Sequence, residues 1–156
     1  MARPSAKKPS GLDRGVLPSL LGYVLRRTQS AVFADFAATF AQAGEALTPG
    51  EFGLLVLVER NAGLSQMALA RALGIDRSTL VPILNRLQAR GLLVRRASPT
   101  DGRTHALGLT PAGAKALSRY ARLVAAHEKR IASGLSAAET RTLISLLEKV
   151  RDKAQA

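Results

Sequence analysis

The 156-residue sequence contains no cysteine, which excludes disulfide bonds, thiolate redox sensing and cysteine-ligated zinc. Its two histidines, His105 and His127, are far apart and lack the spacing of metal ligands. The glycine-rich phosphate loops, the nucleophile elbow and the paired-histidine helix of many enzymes are also missing. We therefore expect no metal site, no cofactor and no enzymatic activity.

Long apolar runs are absent as well. No stretch approaches the roughly 18 apolar residues that cross a bilayer, and residues 1–15 are small, polar and basic instead of carrying an apolar signal segment. The composition, 47% hydrophobic, is enough to bury one substantial core. We expect a disordered basic arm over 1–15, a single domain over 16–156, and a location in the cytoplasm.

Acidic residues are scarce. The chain carries 11 Asp and Glu against 23 Lys and Arg, a formal charge of +12. Seven arginines lie between positions 71 and 103, where the acidic residues are Asp76 and Asp101 only. A basic surface that only keeps the protein in solution is one explanation. Arginine, however, fits phosphate oxygens and guanine edges, and this clustering favours a nucleic-acid partner.

Two short helices separated by a tight turn are predicted within this basic segment. Ser65 is a typical N-cap, and Gly74 stands where a helix commonly ends in a left-handed residue. A second helix then opens at Asp76 or Ser78. The apolar side of that second helix consists of Leu80, Ile83, Leu84 and Leu87. This arrangement predicts a helix-turn-helix.

A β-hairpin is predicted directly after it. Gly91 ends the second helix, residues 92–96 have the composition of a strand, and a polar loop over 98–103 leads to a second strand that ends near Thr110. A helix-turn-helix followed by such a hairpin is a winged helix. Winged helices usually bind DNA.

Long helices flank the winged segment. The first is predicted over 17–42, capping boxes open others at Thr48 and Ser136, and another starts at Pro111. Their apolar faces exceed what one winged helix needs. The predicted fold is therefore mainly α with a two-stranded β-wing: a winged helix over about 48–110 with dimerisation helices over about 16–43 and 111–153. The alternative is that these helices pack only on their own subunit.

The second helix of the helix-turn-helix is the recognition helix, the one that would enter the DNA groove. It has a defined outward face if its apolar side points inward. At 100° per residue the outward stripe is Ser78, Pro82, Asn85 and Ala89. Asparagine can bind an adenine edge through two hydrogen bonds, and apolar side chains can contact a thymine methyl. Asn85 is equally explained as a solvated polar residue. The predicted DNA-binding residues are Ser65, Gln66, Arg77, Ser78, Thr79, Val81, Pro82, Asn85, Arg86, Arg96, Thr100, Asp101 and Arg103.

The hairpin tip is the second predicted DNA contact. Narrow A·T-rich minor grooves attract arginine, so Arg103 is the candidate for insertion, and Asp101 can orient its guanidinium. Arg95 and Arg96 point to opposite faces of a strand. We therefore expect only one of the two to face DNA.

The chain resembles the MarR family of bacterial transcriptional regulators from about residue 17 to residue 150. Five segments carry the likeness: 64–75 (LSQMALARALGI), 76–80 (DRSTL), 84–93 (LNRLQARGLL), 98–103 (SPTDGR) and 107–113 (LGLTPAG). The family's usual wing motif is D-R-R, whereas this chain has Asp101-Gly102-Arg103. One wing arginine is therefore missing, which bears on the strength of the minor-groove contact.

The resemblance implies a homodimeric transcriptional repressor that binds a pseudo-palindromic operator in double-stranded DNA. A small ligand releases the repressor from that operator. In this family the ligand is often an aromatic acid, and in some branches a coenzyme A thioester; residues 64–82 are most similar to a thioester-sensing branch. The family's pocket lies where the dimerisation helices meet the winged module. Arg26 and Arg27 beside Tyr23 are our candidates for effector binding, although a solvated helix face would look the same.

Two other functions remain open from the sequence. An architectural, nucleoid-type DNA-binding protein without an effector would also carry a charge of +12. A protein-interaction module built on a winged helix would not bind DNA at all. The operator, the effector and the choice between repression and activation do not follow from the sequence.

Overall fold

A computed structural model describes residues 12–61, 63–97 and 105–155. The chain divides into two compact units, residues 1–32 and 33–156. The expected arm lies mostly outside the described residues. The expectation of a single domain over 16–156 stays a prediction.

The first unit begins with a break that the sequence analysis did not predict. A short 3₁₀ helix spans Leu17–Ser19, Leu20 is extended, and α1 begins only at Leu21 and runs Leu21–Gln42. The prediction of one continuous helix from residue 17 is therefore wrong at its start. The Ser19 hydroxyl donates to the Val16 carbonyl at 2.7 Å, and such side-chain bonds compete with helical backbone bonds.

The second unit has the predicted order of elements, and the mainly α class with a two-stranded wing is confirmed. The strands pair antiparallel, from Leu93 opposite Leu109 to Ala97 opposite His105. The elements are α2 Pro49–Arg60, α3 Gln66–Leu73, α4 Arg77–Ala89, β1 Leu93–Ala97, β2 His105–Leu109, α5 Pro111–Ile131 and α6 Ala137–Gln155.

Local side-chain bonds place the helix ends in the helix-turn-helix. The Ser65 hydroxyl accepts the Ala68 amide at 3.2 Å, and Gly74 ends α3 with a φ of 65°. Asp76 caps α4, because its Oδ1 accepts the Thr79 amide at 2.7 Å. The choice between Asp76 and Ser78 is thus decided in favour of Asp76.

Both predicted capping boxes are present. The Thr48 amide donates to the Glu51 carboxylate at 2.7 Å while the Glu51 amide donates to the Thr48 hydroxyl at 3.2 Å. Ser136 and Glu139 make the same reciprocal pair at 2.8 and 3.2 Å. Each box satisfies backbone donors that a helix start leaves free, so these two starts were predictable from four residues each.

The core of the second unit lies beneath the recognition helix. Leu80, Leu84 and Leu87 of α4 are all 0% exposed. They belong to one cluster with side chains of α1, α2, α3 and α5, among them Phe40, Leu54, Leu55, Leu69 and Tyr120. One face of α4 is therefore held against packed neighbours, and the other face is left free.

The last helix has no such cover. None of its residues is buried, and an apolar group on it is 39–54% exposed: Leu143, Ile144, Leu146 and Leu147. In the described part of the chain, no helix combines the length and apolarity that a membrane crossing requires. No group of acidic or histidine side chains suited to a metal ion occurs there either.

Gly113 gives a test of this packing. A Cβ at this position would lie 2.0 Å from the Leu92 carbonyl oxygen, and that carbonyl already accepts the Thr110 amide at 3.1 Å. We predict that Gly113→Ala lowers the free energy of unfolding by about 1–3 kcal/mol or more, because backbone must move. Urea unfolding measures this.

Gly50→Ala is the matched control, since a Cβ at residue 50 meets no atom within 4 Å and alanine favours a helix. It should leave stability unchanged or slightly raised. An unfolding midpoint for Gly113→Ala equal to that of the wild type would show that the close approach of the Leu92 backbone to α5 is incorrect.

Candidate nucleic-acid interface

The exposed face of α4 carries the side chains that the sequence analysis placed there. Ser78, Pro82 and Asn85 are exposed, and Val81 is half-buried. The predicted inward residues are buried or half-buried, which confirms the helix register. A contact with DNA at these residues stays a prediction.

The start of α4 presents two further exposed candidates, Arg77 and Thr79, on either side of Ser78. The Ser78 hydroxyl donates to Asp76 Oδ1 at 2.6 Å. This bond, together with the Thr79 amide, lowers the pKa of Asp76. Because the Ser78 proton is used by Asp76, the serine oxygen remains available as an acceptor.

Pro82 does not interrupt the helix, which continues to Ala89. Proline has no amide hydrogen, so the Ser78 carbonyl, four residues earlier, lacks its helical partner. The loss falls within the first turns of α4, as the sequence analysis assumed. The proline ring itself is on the exposed face.

Asn85 is linked to the base of the wing. Nη2 of Arg95, on β1, donates to the Asn85 amide oxygen at 2.9 Å. Arg95 is half-buried, whereas Asn85 is exposed. Strand β1 therefore supports the Asn85 side chain through Arg95. This contact was not predicted from the position of Asn85 on the helix.

Arg86 points away from the outward stripe and towards α2. Its Nε donates to Glu51 Oε1 at 2.6 Å. The Glu51 side chain is only 3% exposed, while that of Arg86 is 54% exposed. Burial alone would raise the pKa of Glu51, but hydrogen bonds from Arg86 and the Thr48 amide outweigh it and lower that pKa. The predicted DNA contact of Arg86 would have to be made by a guanidinium that is already paired.

A second polar cluster connects the C-terminal end of α4 to α5. Arg90 donates to the Ala46 carbonyl at 2.7 Å and to the Tyr120 hydroxyl at 3.1 Å. That hydroxyl donates to Glu45 at 3.0 Å, and Arg119 also pairs with Glu45. Burial and the Glu45 carboxylate raise the pKa of Tyr120. Sequence reasoning missed this cluster, because its members are far apart in the chain.

A hollow of about 620 Å³ lies beside the Glu51–Arg86 pair and the polar cluster around Glu45. Its lining combines apolar side chains such as Phe40 and Leu47 with the charged side chains of Glu45, Arg86 and Arg90. The arginines are engaged by the chain's own carboxylates and a carbonyl. The hollow thus marks where α4 is tied to the α1–α2 connection.

A third polar cluster, also missed from the sequence, joins α1 to α5. Arg130 donates to both oxygens of Asp35, at 2.7 to 3.1 Å. The Asp35 carboxylate also lies 3.1 Å from Nδ1 of the buried His127, whose ring packs edge-on against Phe36. The bond from Arg130 is the main cause that lowers the pKa of Asp35.

The remaining predicted DNA-binding residues divide into two groups. Ser65 and Gln66 are half-buried at the start of α3, where the Ser65 hydroxyl serves as a cap. Thr100, Asp101 and Arg103 lie outside the described residues, as does the side chain of Arg96. Their predicted contacts stay predictions.

The three effector candidates lie together on α1 in the first unit. Tyr23, Arg26 and Arg27 line a shallow surface hollow of about 410 Å³. Arg27 donates to the Tyr23 hydroxyl at 3.4 Å, and its guanidinium stands 5.9 Å from the ring centre. This bond lowers the pKa of Tyr23. The arrangement offers two cations and an aromatic ring within one patch.

Comparison with known proteins identifies the class of protein. A sequence model of the MarR family matches residues 47–104. A transcriptional regulatory protein for the hcr operon of Thauera aromatica is 41% identical over 148 residues, which is 95% of this chain and 89% of that protein. The chain belongs to the MarR family. Its members are regulatory DNA-binding proteins.

Two solved structures of the transcriptional repressor CouR resemble this MarR-family chain. CouR bound to a 23-mer DNA duplex gives a TM-score of 0.84 at 41% identity, covering 91% of this chain and 99% of CouR. CouR bound to p-coumaroyl-CoA gives 0.82 at 39% identity, covering 90% and 98%. The resemblance to the MarR family is thereby confirmed in both sequence and fold.

The Glu51–Arg86 pair gives a test of how the recognition helix is held. We predict that Glu51→Gln lowers the free energy of unfolding at pH 7 by about 1–3 kcal/mol, because glutamine loses the charged bond to Arg86. The folded-state pKa of Glu51 lies below its ordinary 4.5. Its stabilisation is therefore present above pH 4.5 and disappears as the pH falls through the folded-state pKa.

The stability difference between wild type and Glu51→Gln should accordingly shrink in acid, as measured by urea unfolding from pH 7 to pH 3. Glu59→Gln is the control, since the Glu59 side chain is exposed, and it should change stability by less than about 0.5 kcal/mol. A constant difference between wild type and Glu51→Gln at all pH values would argue against this pair.

Proposed function

We propose that this MarR-family chain is a transcriptional repressor that binds a pseudo-palindromic operator as a homodimer and releases it on binding a small effector. The observation that carries the proposal is the two-sided character of α4. Its inner leucines are fully buried, while Ser78, Pro82 and Asn85 are exposed in a row. This is the geometry by which a helix enters a major groove with its side chains towards base edges.

The electrostatics support the same partner. The formal charge is +12, and the exposed arginines Arg71 and Arg77 flank the turn between α3 and α4. Positive charge favours DNA of any sequence through counterion release. The DNA complex of CouR, 41% identical to this chain, adds weight to duplex DNA as the partner.

The homodimer is supported by the uncovered apolar face of α6. Leu143, Ile144, Leu146 and Leu147 are 39–54% exposed, and burial of each such side chain gains on the order of 1 kcal/mol. A second copy of the chain would cover this face. Two-fold symmetry of the protein would then match a two-fold symmetric operator.

An architectural DNA-binding protein is the alternative, supported by the charge of +12. It has less support, because Pro82 and Asn85 give α4 an uncharged face where an architectural protein needs mainly cations. We further propose that the chain acts without catalysis and in the cytoplasm, where bacterial DNA is found.

A selection from randomised duplexes tests the DNA-binding proposal. The wild type should enrich a pseudo-palindrome whose half-sites are about 10 base pairs apart, centre to centre. Asn85→Ala should weaken binding to that site by about 1–3 kcal/mol, mainly through one base position in each half-site. Arg103→Ala should weaken selected and random duplexes alike and reduce the salt slope by about one.

These two variants serve as controls for each other, since one affects the sequence preference and the other the general affinity. An equal loss on selected and random DNA for Asn85→Ala would mean that this face does not recognise bases. Enrichment of no sequence by the wild type would favour the architectural alternative.

The effector that we propose is a small aromatic acid or its coenzyme A thioester. Support comes from the complex of CouR with p-coumaroyl-CoA and from the patch formed by Tyr23, Arg26 and Arg27. Arginine pairs with carboxylate or phosphate, and the tyrosine ring offers an aromatic surface. Release requires that the effector bind the DNA-incompatible arrangement of the dimer more tightly than the compatible one.

Arg26→Ala and Arg27→Ala should raise the concentration of p-coumaroyl-CoA needed for release about tenfold or more, because an anion partner is lost. DNA affinity without effector should stay within several-fold of wild type. Fluorescence anisotropy of a labelled operator measures both. Arg60→Ala, which removes an exposed arginine of α2, is the control. If both variants leave the operator at the p-coumaroyl-CoA concentration that releases the wild type, this patch is not the effector site.

A further inference from the structure

We propose that Arg95 is a positioning residue for base recognition, which fixes the orientation of the Asn85 amide towards DNA. The inference rests on the proposed function, because it assigns Asn85 to the recognition of a base. It adds a residue outside the recognition helix to the determinants of sequence preference.

The geometry comes from the packing of β1 against α4. In the hairpin Arg95 pairs with Leu107, and its Nη2 reaches the Asn85 oxygen at 2.9 Å. Asn85 itself stays exposed, whereas Arg95 is half-buried. The arginine therefore supports the asparagine from below and leaves the outer edge of the amide free.

The chemistry of the amide gives this bond a direction. A guanidinium has only donors, and of the two ends of a carboxamide only the oxygen accepts. The Asn85 oxygen must therefore face Arg95, and a flipped amide would bring two N–H groups together. The terminal torsion of asparagine is otherwise broad and roughly two-fold. A charge-assisted bond selects one of the two orientations.

The selected orientation decides which base edge Asn85 can bind. Its Nδ2 group keeps both hydrogens, and its oxygen keeps a second lone pair. Adenine recognition needs one donor for N7 and one acceptor for the N6 amino group, side by side. Arg95 thus presents the pair in one order before DNA arrives, and less conformational freedom is lost on binding.

This role differs from that of an arginine that contacts phosphate. A phosphate contact raises affinity for every sequence and contributes about one unit to the salt slope. A positioning contact acts on the preference at the base that Asn85 binds and leaves the salt slope nearly unchanged. The two roles therefore predict different measurements for the same variant.

The experiment compares wild type, Asn85→Ala, Arg95→Ala, Arg95→Lys and the double variant Asn85→Ala with Arg95→Ala. Each is measured on the duplex enriched by the wild type, on that duplex with each base pair replaced in turn, and on a random duplex. Arg95→Ala should lose preference at the same base position as Asn85→Ala, by roughly 5- to 150-fold. Combining the two substitutions should add little further loss, because both remove the same contact. Lysine keeps a donor of similar reach, so Arg95→Lys should restore part of the preference.

Arg122→Ala, which removes an exposed arginine of α5, is the charge-matched control and should keep the full preference. Thermal unfolding of each variant shows whether the fold is retained, and Arg95→Lys provides the comparison if Arg95→Ala is unstable.

If Arg95→Ala weakens binding to all duplexes equally and reduces the salt slope by one, Arg95 is a phosphate contact and the inference is overturned. A wild type that enriches a site while Arg95→Ala keeps its base preference would overturn the inference alone. A wild type without any preference would overturn the proposed function as well.

Discussion

The buried carboxylate of Glu51 is the contact that ties the recognition helix to the rest of the second unit. A charged side chain that is 3% exposed is costly unless every oxygen has a partner. One oxygen of Glu51 accepts the Thr48 amide and thereby completes the start of α2, and the other accepts Arg86 of α4. Glu51 therefore stabilises the start of α2 and also holds α4 in place.

Around this contact the face of α4 is supported from several sides. The leucines beneath it are fully buried, Arg90 attaches its C-terminal end to the α1–α2 connection, and Arg95 of the wing contacts Asn85. Each support joins α4 to a different part of the unit: the packed core, the α1–α2 connection and the wing. A face held in this way loses little conformational freedom when it binds, which favours the discrimination of one base from another.

The parts of this structure that follow from short-range rules were predictable. The caps at Ser65 and Asp76, the capping boxes at Thr48 and Ser136, and the apolar side of α4 depend on residues within one or two turns of each other. The start of α1 was not predictable, because a hydrogen bond from the Ser19 hydroxyl competes there with the backbone bonds of a helix. The regular spacing of apolar residues does not reveal this competition.

The site was predictable in its face but not in its supports. Spacing on a helix places Asn85 outward, yet its bond to Arg95 depends on how the hairpin packs. The pairing of Glu51 with Arg86 spans 35 residues, and that of Asp35 with Arg130 spans 95. No local pattern indicates such pairs. Arg86 was therefore assigned to DNA, although its guanidinium pairs with the protein's own Glu51.

Whether the exposed face of α4 lies against DNA can be measured directly, because the chain contains no cysteine. Ala89, exposed on the outward stripe, and Ser118, exposed on α5, can each be replaced by a single cysteine that carries an iron chelate for cleavage of nearby DNA. If this face lies against DNA, the chelate at position 89 should cut the enriched duplex at two symmetric places, and the chelate at position 118 should cut weakly or not at all. Strong cleavage from position 118 with none from position 89 would contradict this placement.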